Sequence, residues 1–272
     1  TDGQVVLTDL HLGTYVVTET KSIDGFTINN APQTVAIQYK DQTVTVQYES
    51  TTIENTRQKA EVSVMKKDSD TENPLDGGKY TIYAGNDIRN YAGQVIVTKG
   101  TALETVTTGE DGSAHYSVDL PISNSYYISE SQAPYAYVRN EKDVYSFNFN
   151  VLPETQAKAT FSHIFKNDRT TAKIRIYKVD KETGKAVPQG DAKLSGAVYG
   201  LYARDIISHP DGATGVIFNA GDLVATLTTD DNGEAEVKNL YLGNYYVKEI
   251  TPSEGYLLDE DEHDIVCDYE GD

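Results

Sequence analysis

The chain has 272 residues, 42 acidic against 23 basic side chains, and a formal net charge of -19. Because phosphate groups are bound mainly through Lys and Arg, this charge argues against nucleic acid or an anionic membrane surface as a partner. The single cysteine, Cys267, excludes an internal disulfide bond. The sequence has neither an apolar run of about 20 residues that could insert into a membrane nor a secretion signal, so we expect a piece of a longer protein.

Short runs rich in β-branched and aromatic residues alternate with turn residues along the whole chain. Apolar and polar positions alternate with a period of two, and no segment carries a convincing helical stripe. Only the loops near 86–93 and 204–213 leave room for short helical turns. The pattern predicts an all-β fold of Ig-like sandwiches. The clearest predicted strands are residues 44–48, 62–65, 147–151 and 174–179.

One long block of sequence recurs along the chain. The string DGQVVLTDLHLGTYVVTETKSIDGF at 2–26 returns as NGEAEVKNLYLGNYYVKEITPSEGY at 232–256, and a looser copy occupies 111–137. Self-similarity at a fixed period is the signature of a tandem array of structural units. The low hydrophobic content of 38% also favours several small domains over one large core.

A second recurring block fixes the length of the repeat. Lys66 and Lys178 are 112 positions apart, and so are Asn55 and Asn167. Units therefore meet near residues 58 and 171. The predicted domains are the C-terminal half of a first unit at 1–57, a complete unit at 58–170, and a third unit without its last strand at 171–272.

Three polar side chains in the middle unit are predicted to point into the core. Residues two apart share a face of a strand, which places Lys66 with Val62 and Val64. By the same count Glu130 and Asn167 also face inward. One such residue is typical of a solvated strand rim, but recurrence of the whole set favours a chemical role. The corresponding residues are Glu19 and Asn55 in the first unit and Lys178 and Glu249 in the third.

Several strings resemble one known family. SVMKKD and RIYKVD, YVVTETKSIDGF and YYVKEITPSEGY, and terminal strands that carry asparagine are similar to the collagen-adhesin B-type (CnaB, SpaA-like pilin) domains of Gram-positive surface proteins. The resemblance covers the whole chain. Its most specific element is a glutamate box that ends in a glycine and an aromatic residue, found around Glu19 and Glu249. Around Glu130 the box is degraded, because Ala136 replaces the glycine.

The resemblance implies tandem prealbumin-like β-sandwiches that form a spontaneous isopeptide bond without a cofactor. It implies Lys66 as nucleophile, Glu130 as acid and base, and Asn167 as electrophile. Burial lowers the pKa of a lysine and raises that of a glutamic acid by up to about 3 to 5 units, which is consistent with a neutral amine beside a protonated acid. The outer sets are incomplete in this chain: Glu19 and Asn55 lack a lysine, and Lys178 and Glu249 lack an asparagine.

The resemblance also implies a structural stalk segment of an adhesin or pilus-like protein, outside the cell and attached to the wall through other regions. Its partners would be the neighbouring units, because asparagine and the next lysine are only 11 positions apart at both junctions. Beyond a single self-directed turnover, no enzyme activity is expected. The alternative is an adhesin module whose loops, such as 85–104 or 204–222, bind a host matrix protein or a glycan.

Overall fold

The computed structural model describes residues 3–271 and confirms the all-β prediction. Every regular element in that range is a strand, so the range contains no helix that could cross a bilayer. The loops near 86–93 and 204–213 belong to short antiparallel hairpins. The sequence had allowed short helical turns at these two places. The first, middle and third units denote residues 1–57, 58–170 and 171–272.

The first unit contains one antiparallel pair of strands. These are β1 (Gly13–Val17) and β2 (Gln33–Ile37). The predicted strand at 44–48 is wrong, since residues 38–56 join no ladder. A strand needs a hydrogen-bonded neighbour, and the described part of this unit has no counterpart of the strand that opens each later unit.

The middle unit is a sandwich of two sheets with one core. Its strands are β3 (Lys59–Asp68), β4 (Lys79–Ala84), β5 (Ile88–Arg89), β6 (Val95–Val97), β7 (Ala102–Thr107), β8 (Ser113–His115), β9 (Asn124–Gln132), β10 (Val144–Phe149) and β11 (Lys158–Asn167). One sheet has the order β10-β9-β4-β7 and the other β11-β3-β8. Between them, Tyr80 of the first sheet packs on Phe165 of the second with 4.5 Å between ring centres.

The first and last long strands of the middle unit lie side by side. β3 and β11 run parallel over ten residue pairs, with Lys66 opposite Phe165 and Asp68 opposite Asn167. All four residues are buried. Because a parallel ladder aligns the same ends of both strands, the lysine and the asparagine are brought to one end of the sheet.

The third unit repeats this plan. Its strands are β12 (Ala172–Tyr177), β13 (Val198–Ala203), β14 (Ile207–Ser208), β15 (Val216–Phe218), β16 (Leu223–Thr228), β17 (Glu234–Leu240), β18 (Gly243–Thr251) and β19 (His263–Cys267). The sheet β16-β13-β18-β19 corresponds to β7-β4-β9-β10, and β12-β17 corresponds to β3-β8. Among the described residues, no strand of the third unit corresponds to β11.

Short backbone and side-chain contacts join consecutive units. At the first junction Gln58 is fully buried and its backbone nitrogen donates to Gly25 O of the first unit at 2.7 Å. At the second, the Arg169 guanidinium donates to Asn239 O at 3.0 Å and lies 3.9 Å above the Tyr241 ring. Each junction therefore has fixed contacts rather than a free linker.

Candidate functional site

Lys66 is held inside the middle unit by the alternation of β3. Val62, Val64 and Lys66 are 4%, 2% and 0% exposed, so the strand face predicted from the sequence is buried. Burial lowers the pKa of the Lys66 amine from 10.5 to about 8, because desolvation outweighs the attraction of the nearby Glu130 carboxylate. More of this amine than of a solvent-exposed lysine is therefore neutral near pH 7, and the neutral form is the nucleophile.

A glycine fixes the backbone at each buried lysine. Lys66 N donates to Gly112 O at 2.7 Å, and Lys178 N donates to Gly233 O at the same distance. Both glycines have positive φ, and a Cβ on them would lie 2.5 and 2.6 Å from the lysine carbonyl oxygens. Only glycine combines this conformation with so close an approach, which explains the glycine at the second position of the repeated block.

Glu130 lies between the two groups that would react. The carboxylate is on β9, and its Oε1 is 3.4 Å from Lys66 Nζ. Asn167 Nδ2 donates to both carboxylate oxygens, at 2.8 and 3.0 Å. The Asn140 amide donates to Oε2 at 2.9 Å and fixes the carboxylate from the loop beyond the strand. Glu130 thus contacts both the amine and the carboxamide nitrogen.

Two atoms at this site have no hydrogen-bond partner. Among the described residues, the buried side-chain atoms without a partner are Lys66 Nζ, Asn167 Oδ1 and Ser253 Oγ. A buried unpaired polar atom costs roughly 1 to 3 kcal/mol, so native structures avoid it. Two of these three atoms belong to the predicted nucleophile and the predicted electrophile.

The outer units carry the partial sets predicted from the sequence. In the first unit Asn55 Nδ2 donates to Glu19 Oε2 at 2.6 Å, and both residues are half-buried. In the third unit Lys178 Nζ donates to Glu249 Oε1 at 2.8 Å, with both side chains buried. In each outer unit the glutamate therefore contacts the other member of the partial set, Asn55 in the first unit and Lys178 in the third.

A tyrosine at the site was missed by the sequence analysis. Tyr80 is fully buried and its hydroxyl donates to Glu130 Oε1 at 2.9 Å. Its pKa is raised far above its usual range, first by burial and then by the Glu130 charge, so the hydroxyl stays a donor. The available signal was the recurrence of YTIYA at 80–84 as YGLYA at 199–203, where Tyr199 lies 3.4 Å from Lys178 Nζ.

The degraded glutamate box of the middle unit keeps the turn of the other two. Gly25 and Gly255 have φ of 88° and 89°, and Ala136 adopts φ of 64° at the same place. For a residue with a side chain, this left-handed backbone conformation is less stable by about 1 kcal/mol or more. The backbone path after Glu130 is therefore retained although the glycine is not.

A second cluster of titratable groups lies where the middle and third units meet. Ligand atoms of Asp68, His209 and Asp211 all lie within 4.8 Å of one another. The carboxylate oxygens already accept hydrogen bonds: Asp68 Oδ2 from Tyr137 at 2.6 Å and Asp211 Oδ2 from Asn73 at 2.9 Å. The cluster therefore serves as a polar contact between the two units.

Comparisons with known proteins agree with this architecture. The family model for the SpaA prealbumin-like fold domain matches residues 1–52, 60–163 and 172–272. No curated protein matches the sequence. Among solved structures, the Bacillus anthracis TIE protein is similar with a TM-score of 0.64 and 22% identity; the match covers 96% of this chain and 40% of that one. The chain thus spans about two fifths of that protein.

Two pilins give weaker overall superpositions. Shaft pilin SpaA from Lactobacillus rhamnosus GG has a TM-score of 0.31 and 17% identity, over 78% of this chain and 94% of that one. The streptococcal ancillary pilin has a TM-score of 0.32 and 18% identity, over 96% of this chain and 73% of that one. The family match across three segments and the repeated sandwich together show that the chain belongs to the SpaA family of domains with a prealbumin-like fold.

Proposed function

We propose that the chain is a stalk segment of a Gram-positive cell-surface adhesin or pilus-like protein, and that its middle unit crosslinks itself. The observation that carries the proposal is that two buried atoms without a hydrogen bond, Lys66 Nζ and Asn167 Oδ1, lie beside one carboxylate, Glu130, that contacts both residues. Membership of the SpaA family supports it. The repeat boundaries near 58 and 171 and an extracellular location belong to the same proposal.

The reaction needs only the three side chains. A proton passes from the Lys66 ammonium to Glu130, which leaves a neutral amine next to a protonated acid. Lys66 Nζ then bonds to Asn167 Cγ. Glu130 gives its proton to Asn167 Nδ2 and takes the second proton from Lys66 Nζ as the bond from Cγ to Nδ2 breaks. The products are one amide, one ammonia and a protonated Glu130, so atoms and charges balance. Groups held together by a fold can react with effective molarities on the order of 10⁵ M or more.

The position of the bond explains what it would do for a stalk. Tension enters the middle unit at the start of β3 and leaves at the end of β11. An amide from Lys66 to Asn167 carries this load across the parallel pair by a covalent path. The chain between the two residues, which contains the rest of both sheets, then bears no tension.

Pulling single molecules of the full chain tests this role. We expect that Glu130→Ala adds an unfolding step of roughly 300 Å, since about 100 residues become extensible at about 3.3 Å each or more. The unmodified chain should lack this step. Glu249→Ala is the matched control, because the third unit has no asparagine at the position that Asn167 occupies in the middle unit, so the extension should not change. An equal total extension of the Glu130→Ala chain and the unmodified chain would rule out a covalent load path.

A further inference from the structure

The loop that follows β9 returns over the candidate site and ends on Tyr137. The Tyr137 side chain is 1% exposed, and its hydroxyl donates a hydrogen bond of 2.6 Å to Asp68 Oδ2. Asp68 is two residues after Lys66 on the same buried face of β3. The phenol therefore holds the end of the strand that carries the lysine.

The backbone of the same loop holds the other reacting strand. Tyr137 forms an antiparallel bridge with Arg169, just beyond the end of β11. Next to it, Val138 N donates to Asp168 O at 2.9 Å. These contacts begin one residue after Asn167. The loop thus ties the ends of both reacting strands, by the Tyr137 side chain on one side and by the backbone of its neighbours Ala136 and Val138 on the other.

The third unit repeats the side-chain contact, and the first unit lacks it. Tyr256 donates to Asp180 Oδ2 at 3.2 Å, and Asp180 again follows the unit's lysine by two residues. In the first unit Phe26 keeps the backbone bridge, to Arg57, but has no hydroxyl. The tyrosine and the aspartate therefore recur as a pair in the two units that contain the lysine strand.

We propose that Tyr137 is a positioning residue for the crosslinking reaction: its hydrogen bond to Asp68 and its backbone pairing beyond Asn167 hold Lys66 and Asn167 against Glu130. The inference rests on the proposed function, since it concerns the rate of that reaction. Small displacements of reacting groups lower such rates strongly, by up to about a hundredfold for 1 Å. Removing the Tyr137 hydroxyl should accordingly slow the crosslink by about tenfold.

Charged groups from other elements also face this contact. His209 Nε2 of the third unit lies 3.9 Å from Asp68 Oδ2, and His209 Nδ1 is 3.3 Å from Asp211 Oδ1. The Asp68 charge also raises the pKa of Lys66 slightly against the larger effect of burial. The effect of the Asp68 charge on the pKa of Lys66 must therefore be separated from the effect of the hydrogen bond between Tyr137 and Asp68 on the position of Lys66.

The test is the rate of ammonia loss in newly made full-length chains, followed by intact mass after a short cell-free synthesis and a denaturant quench. Rates are measured in buffers that span the titration of Lys66. We expect Tyr137→Phe to lower the limiting rate about tenfold without moving the midpoint of the pH profile. Tyr256→Phe makes the same change in the third unit and should leave the rate unchanged. In Asp68→Asn the amide oxygen can still accept the hydrogen bond of the Tyr137 hydroxyl, so most of the limiting rate should remain. Because the Asp68 charge that raises the pKa of Lys66 is removed, the midpoint of the pH profile should move to lower pH.

Each outcome decides a different claim. If the unmodified chain loses no ammonia, the proposed function fails. If the unmodified chain loses ammonia and Tyr137→Phe reacts at the same rate, the positioning role is wrong. It is also wrong if Tyr137→Phe only shifts the midpoint of the pH profile. The role also fails if Tyr256→Phe slows the reaction equally. Folding is checked by adding Tyr137→Phe to Glu130→Gln, which blocks the reaction: a cooperative melt of that double variant assigns the slower rate to position, whereas loss of the fold would overturn the inference.

Discussion

Replacing Glu130 by alanine is expected to abolish the crosslink completely. The unmodified chain should be lighter than its sequence by one ammonia, and Glu130→Ala should have the full mass calculated for its sequence. The reason is that Glu130 is the only side chain described in contact with both Lys66 Nζ and the Asn167 carboxamide, at 3.4 and 2.8 Å. Without it the buried amine has no acceptor for its proton and the leaving nitrogen has no donor.

Glu249→Ala is the matched control for this change. Glu249 contacts Lys178 at 2.8 Å in the same way, but the third unit has no asparagine at the end of a last strand. Its replacement should leave the ammonia deficit unchanged. A Glu130→Ala chain that still lacks one ammonia would show that another group assists the reaction, and equal effects of both variants would show that the loss is not local to the middle unit.

The second large effect is on thermal stability. The bond from Lys66 to Asn167 would close a loop of 102 residues. By analogy with a disulfide bond, the chain-entropy model gives about 4.7 kcal/mol for a loop of this size. At about 4 °C per kcal/mol for a domain of this length, Glu130→Gln should lower the melting temperature of the middle unit by about 20 °C.

Calorimetry of Glu130→Gln and Glu249→Gln separates the crosslink from the hydrogen bonds that each glutamate makes. Both carboxylates accept a backbone amide ten residues later in the chain, from Asn140 at 2.9 Å and from Asp259 at 2.8 Å. The two substitutions therefore weaken similar local contacts, but only the first prevents a covalent bond. Equal shifts of the two transitions would mean that the crosslink contributes nothing to stability.

The sequence predicted the buried faces well because alternation along a strand is a local property. Lys66, Glu130 and Asn167 are 0%, 6% and 2% exposed, as the count of positions predicted. Their chemical role remains a prediction. The strand at 44–48 failed for the opposite reason: its composition favours a strand, but a ladder needs a partner that the described chain does not supply.

The contacts that complete the site are not local and left weaker signals. Tyr80 reaches Glu130 across 50 positions, and Tyr137 reaches Asp68 across 69. No periodicity within a strand predicts such pairs. They could have been found only by comparing the units with one another, since each tyrosine recurs in the third unit. Ala136 shows the limit of that comparison, because the turn persists where the residue that normally marks it does not.

Tandem mass spectrometry of a protease digest of the folded, unmodified chain would detect the crosslink itself. We expect one branched peptide in which Lys66 and Asn167 are joined, lighter by one ammonia than the sum of its two arms. No such peptide should contain Asn55 or Lys178. Recovery of separate linear peptides with an intact Lys66 and an intact Asn167 would show that the crosslink does not form.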